Sequence, residues 1–177
     1  MGSRLYDQII AQRGSLERLV ARIPGFRGYH EKEARRAADT MLRDYLADQV
    51  EDLIRDFARV ESQLVDKVGL AGMSRTREVK ARLQSYADRL RTAAPKYSAM
   101  FAHVKIDIDD LERIYAFDEA QLRYINQLGQ AVEAVKAAVS SGEDHQQALD
   151  ALMQVADEAI EAFSLRDDVI LKLGESY

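Results

Sequence analysis

Cysteine is absent from the 177 residues, and proline occurs only twice. Without a thiol there is no disulfide framework, thiolate metal site or cysteine nucleophile. Two prolines and nine glycines are too few turn formers for an all-β sandwich or barrel, which needs a turn every ~8–12 residues. Long apolar runs are missing too. The longest uncharged stretch, Tyr124–Val132, is nine residues, against the ~20 needed to span a membrane. The opening MGSRLYDQII lacks the apolar region of a secretory signal, and Tyr6 stands where a myristoylation start has Ser or Thr. The chain is therefore read as cytoplasmic.

Excess basic charge is lacking as well. Lys and Arg number 25 and Asp and Glu 30, a formal −5, so nucleic acid is not expected as a partner. The charge is unevenly spread: residues 1–45 are net +3, 46–110 neutral and 111–177 net −8. One reading is an unevenly solvated surface. The other brings the basic end of one copy onto the acidic end of another.

What is present is helical spacing, because 47% of residues are apolar and they recur at intervals of three and four. Leu5, Ile9, Leu16, Leu19 and Ile23 mark a first helix over about 3–23, with Gly14-Ser15 as a possible split. Pro24-Gly25 ends it in a turn with glycine at the positive-φ position. A second helix is expected over about 28–67, where Leu46, Val50, Leu53, Phe57, Val60 and Leu64 form a heptad seam. Gly69 and Gly72 stop it, and Ser74 is placed to cap the next. Val79, Leu83, Tyr86 and Leu90 carry a third helix over about 74–94. Residues 95–106 read as an irregular segment folding back on the bundle end. Asp107 and Asp110 read as the cap of a fourth helix over about 107–141, with Ile106 and Leu111 at staple positions. Gly142 ends it. The fifth, about 143–173, carries Leu149, Leu152, Ala156, Ala159 and Phe163, then drifts to Ile170.

Chemistry-bearing motifs are scarce. A di-iron bundle uses Glu-x-x-His pairs, yet Arg27, Met100 and Gly142 precede His30, His103 and His145 by three. Asp107-x-Asp109 opens like a calcium loop, but Glu112 replaces its glycine. Neither a G-x-S-x-G elbow nor a P-loop is present. No catalytic, cofactor or metal residue is assigned.

The most distinctive text is IPGFRGYHEKEARR, residues 23–36. It joins a tight turn to two aromatics and several cations, so Phe26, Arg27, Tyr29, Arg35 and Arg36 are the candidate interaction residues for phosphate, anionic lipid or an acidic partner. The competing view is a helix corner whose aromatics cover the bundle end and whose ions pair at i,i+4. This text and FAHVKIDIDDLERIYAFD (101–118) resemble segments of an uncharacterised family of bacterial all-helical proteins. The resemblance covers about 16–60 and 97–118 and implies an all-helical bacterial protein, with no activity attached.

The expectation is an all-α, elongated antiparallel bundle of about five helices in a single domain over 1–177. The uncovered seam of its longest helix calls for self-association, most simply as a dimer. Function is expected to be that of a non-enzymatic scaffold or adaptor with an unknown protein partner. A peripheral membrane-surface protein using the first helix and the basic turn is the alternative, and a metal- or ligand-binding bundle the second.

Overall fold

A computed structural model describes residues 2–12, 14–92, 103 and 105–175. Among them the regular structure is entirely helical. The elements are α1 (Gly2–Ala11), α2 (Leu16–Arg22), α3 (Arg35–Val68), α4 (Met73–Arg91), α5 (Ile108–Ser141) and α6 (His145–Glu175), with 3-10 turns at Lys32–Ala34 and Gly69–Gly72. At 1.5 Å per residue the 34-residue α3 and α5 are each about 50 Å long. That length makes the bundle elongated.

Local chemistry explains the helix ends. Asp107 accepts the Asp110 N–H at 2.8 Å and Asp110 accepts the Asp107 N–H at 3.4 Å, a reciprocal capping box. Gly142, at φ 76°, closes α5 by donating to the Ala138 carbonyl. Pro24-Gly25 forms the expected turn: Gly25 has φ 79° and the Phe26 N–H reaches the Ile23 carbonyl at 3.1 Å. Gly69 stops α3 at φ 70°, but Ser74 is not a cap. The 3-10 turn runs straight into Met73, with Gly72 ahead of it.

The segment expected over about 3–23 is divided at the split offered by Gly14-Ser15: it forms two helices, α1 and α2, and at Gly14 an added Cβ would lie 2.1 Å from the Ala116 amide nitrogen. The chain passes too close to α5 there for a side chain. The long helix begins at Arg35 rather than near residue 28, because Gly28 has φ 81° and Tyr29 is drawn into the interior. Residues 93–94 of the expected third helix lie outside the described residues. So does most of the irregular segment expected at 95–106.

Ion pairs show how the rods lie. Arg91 of α4 reaches Asp44, Asp48 and Glu51 of α3, while Thr76 and Lys80 reach Glu61. The α3–α4 hairpin is therefore antiparallel, and the short turn at 142–144 makes α5–α6 another. The two hairpins lie side by side with like ends together. Lys67 near the end of α3 bonds to the Val139 and Ser140 carbonyls near the end of α5. Arg75, Arg82 and Arg89 of α4 meet Asp150, Asp157 and Ser164 of α6 at a constant offset of 75 residues. Thus α3 runs parallel to α5, and α4 to α6.

The core is the filling of this four-helix frame. Leu46, Val50, Phe57, Val60 and Leu64 are buried and Leu53 is half-buried. The seam of α3 is thus covered by α4 and α5 of the same chain, which removes the uncovered seam that called for a dimer. Helices α1 and α2 lie across the beginning of α5, and α1 also touches α6. Tyr6 packs on Phe117 at 5.6 Å between ring centroids, and Ile9 is buried.

Candidate functional site

The turn at 23–36 splits its five singled-out residues. Phe26, Tyr29 and Arg35 are buried, whereas Arg27 and Arg36 remain exposed. Aromatic packing is the cause: Tyr29 stacks on Tyr115 at 5.5 Å and meets Phe26 edge-on at 5.4 Å. The Tyr29 N–H donates to the Tyr115 hydroxyl at 3.0 Å, and Arg35 Nε donates to the Tyr29 carbonyl at 2.7 Å. This is the corner reading in most respects. The segment straps the N-terminal region to the bundle through its buried Ile23, Phe26, Tyr29 and Arg35.

Beneath that strap lies an ionic network built from three helices. Arg166 of α6 is fully buried. Its Nε donates to Asp118 of α5, and its Nη2 donates to Asp39 of α3 at 2.8 Å and to the Tyr29 hydroxyl at 3.1 Å. The Tyr29 hydroxyl in turn donates to Asp118 at 2.7 Å. Arg43, one turn after Asp39, donates to it at 2.9 Å and to Asp167 at 2.8 Å. The Phe163 ring supports both guanidinium groups, with Arg43 4.8 Å and Arg166 5.9 Å from its centroid. Two buried arginines, Arg166 and Arg43, thus face three aspartates.

The carboxyl groups respond differently to one cavity. Burial pushes Asp39 up, but Arg166 and Arg43 on either side outweigh it, and its pKa falls below the usual range. Asp118 has lost all contact with water, and Arg166 together with the Tyr29 hydroxyl does not offset that loss, so its pKa rises. Burial raises Asp167 as well, against Arg43 and Arg166. The Tyr29 phenol is driven well above its ordinary value by burial and then by Asp118, so it stays a hydrogen-bond donor. These aspartates are committed to guanidinium groups. Among the described residues no group of three or more His, Asp or Glu side chains is arranged to hold a metal ion.

The network was hidden in the sequence, although one signal points to it. In α6 the stripe Ala156, Ala159, Phe163 continues by three and four to Arg166 and Ile170. The apparent drift before Ile170 is a charged residue at a core position. Asp39 and Arg43 likewise sit directly beside Ala38 and Leu42, and Asp118 beside Phe117. A charge on an apolar stripe demands a partner, and three such sites in one chain are mutual candidates.

Near the same end of the bundle, α2 and α5 frame a groove of about 360 Å³ lined by Arg18, Ala21, Arg22, Glu119, Leu122, Arg123 and Asn126. Glu119 is nearly buried. It accepts the Ser15 N–H at 2.7 Å and Arg18 Nη1 at 3.2 Å, and Arg123 approaches it at 3.9 Å. Compared with protein-family models, with curated proteins and with solved structures, the chain matches none. No helix among the described residues is long and apolar enough to cross a membrane.

Proposed function

We propose that the protein is a non-enzymatic helical scaffold or adaptor that works through helix–helix contacts with a protein partner and with a second copy of itself. The observation that supports this most is the use of the buried ionisable groups. Arg166, Arg43, Asp39 and Asp118 bond to one another and to Tyr29, which positions helices and leaves their faces as the working surface. Exposed apolar side chains then suit contact with another rod. Val68 and Leu70 stand 44% and 76% exposed at the α3–α4 turn.

The membrane-surface alternative is weaker, because the apolar face of α1 already packs on the bundle through Ile9 and Tyr6. Light scattering of the native species, with its co-purifying polypeptides identified, tests the proposal. A fixed stoichiometry, with a second copy or another chain, that the Leu70→Asp variant loses is the expected result. A clean monomer with no stoichiometric companion overturns it.

A further inference from the structure

Grooves among the described residues of this acidic protein differ in charge balance. The groove of Ile10, Asp109, Glu112, Arg113 and Ala116 carries an excess acid, as does the one beside Lys67, Glu143 and Asp144. The groove along Arg75, Glu78, Arg82 and Asp157 is neutral. The α2–α5 groove holds three arginines against one carboxylate, a local +2 on a chain of −5. We propose that this groove binds a phosphate group, gripped by Arg18, Arg22 and Arg123.

The helical register makes the cations converge. Arg18 and Arg22 are one turn apart on α2, as Glu119 and Arg123 are on α5, so each pair shares a face and the faces oppose across the groove. Glu119 is spent on holding the walls together. One of its oxygens takes the Ser15 N–H and the other takes Arg18. Its charge is already shared by two arginines, and Arg22 has no carboxylate within salt-bridge distance among the described residues. Glu158 and Glu161 of α6 act on the adjacent Tyr124 and form no part of the lining.

Ala21 and Leu122 give the groove a low-dielectric wall, which focuses the field of the surrounding cations. Guanidinium forks match phosphate oxygens in bidentate geometry, and Asn126 adds a neutral amide. The volume, about 360 Å³, lies at the small end of ligand sites and suits a compact phosphate compound or a lipid headgroup. The scaffold reading does not require this site.

Titration calorimetry of the whole protein at low salt with inorganic pyrophosphate, beside sedimentation with phosphatidic acid vesicles and with phosphatidylcholine vesicles, tests it and separates the two sources. Arg22→Gln and Arg123→Gln change groups that reach solvent, and circular dichroism verifies that the variants fold. Arg77→Gln, on α4 away from the groove, removes the same charge as a control. Binding of pyrophosphate or of phosphatidic acid that weakens about tenfold in each groove variant, and not in the control, is expected. Binding that both groove variants retain, that the control loses equally, or that is absent with both probes overturns the proposal.

Discussion

Replacing Arg166 by Met removes a side chain that touches Asp118, Asp39 and Tyr29 together. The packing volume is largely kept, so the electrostatic effect dominates. Among the described residues Asp118 retains the hydrogen bond from Tyr29, with no contact with water, while Asp39 keeps Arg43. Breaking a buried pair by deleting one partner costs about 3–5 kcal/mol. At roughly 2–4 °C per kcal/mol for a chain of this size, Tm falls by about 6–20 °C. Urea unfolding followed by circular dichroism measures the loss, and its pH dependence identifies the cause. In the native protein the lowered pKa of Asp39 contributes stability above its unfolded value of about 3.9, and this contribution disappears as pH falls through the folded value. In the variant Asp118 loses its cation and Asp39 one of its two, so both pKa values rise. Their ionised forms then destabilise the fold as pH climbs above about 4. The deficit is therefore largest near neutrality and narrows towards pH 4. A loss below about 1 kcal/mol, or a deficit constant across that range, would refute the account of the network.

Three smaller tests address other parts of the fold. Tyr29→Phe deletes the hydroxyl that donates to Asp118 and is expected to cost about 1–3 kcal/mol in the same urea assay. Gly14→Ala places a Cβ on the α5 backbone, so the α1–α2 joint must move. Limited proteolysis is expected to cut the first 34 residues faster in that variant, whereas Gly142→Ala, whose strain at φ 76° falls at the far end of α5, leaves the segment protected. Arg82→Ala in the α4–α6 ladder breaks a pair whose side chains are about half exposed. It is expected to change stability by under about 1 kcal/mol and less still at high salt.

The rods were legible in the sequence because periodicity records burial directly. Every seam residue of α3 from Leu46 to Leu64 is buried or half-buried, and the caps at Asp107, Gly142 and Pro24-Gly25 fall where their conformational chemistry requires. Tertiary closeness was harder to read. The split that Gly14-Ser15 offered is decided by the approach of α5, more than 100 residues away in the chain, and the late start of α3 by Tyr29 reaching Asp118 at 89 residues' separation. No local propensity encodes either distance. The turn at 23–36 was distinctive for the right reason, its aromatics and cations, but three of the five residues serve the interior. Part of the charge asymmetry is met inside the chain, where Arg18 and Arg43 of the basic end pair with Glu119 and Asp167 of the acidic end.

An ionic network is a costly means of holding helices together, since well-packed apolar side chains of similar volume often do as well or better. Its use here is explained by what the apolar seams leave undecided. Seams repeating every seven residues pack almost as well when one helix slides by a heptad. The surface ladder does not prevent this. A seven-residue slip of α4 against α6 would set Arg82 opposite Asp150 and Arg89 opposite Asp157, keeping two cation–carboxylate pairs. The Arg166 network has no such repeat. Its guanidinium group must meet Asp118, Asp39 and the Tyr29 hydroxyl at once, and a heptad slip of α6 would strand Arg166 and Asp118 in hydrocarbon, while Asp39 keeps Arg43 of its own helix. The triple variant Arg166→Met, Asp118→Leu, Tyr29→Phe is accordingly expected to regain most of the stability lost by Arg166→Met alone, while amide exchange across residues 15–34 accelerates as the strap loses its anchor. Equal protection of that segment in the triple variant and the native protein would show that apolar packing alone selects the register.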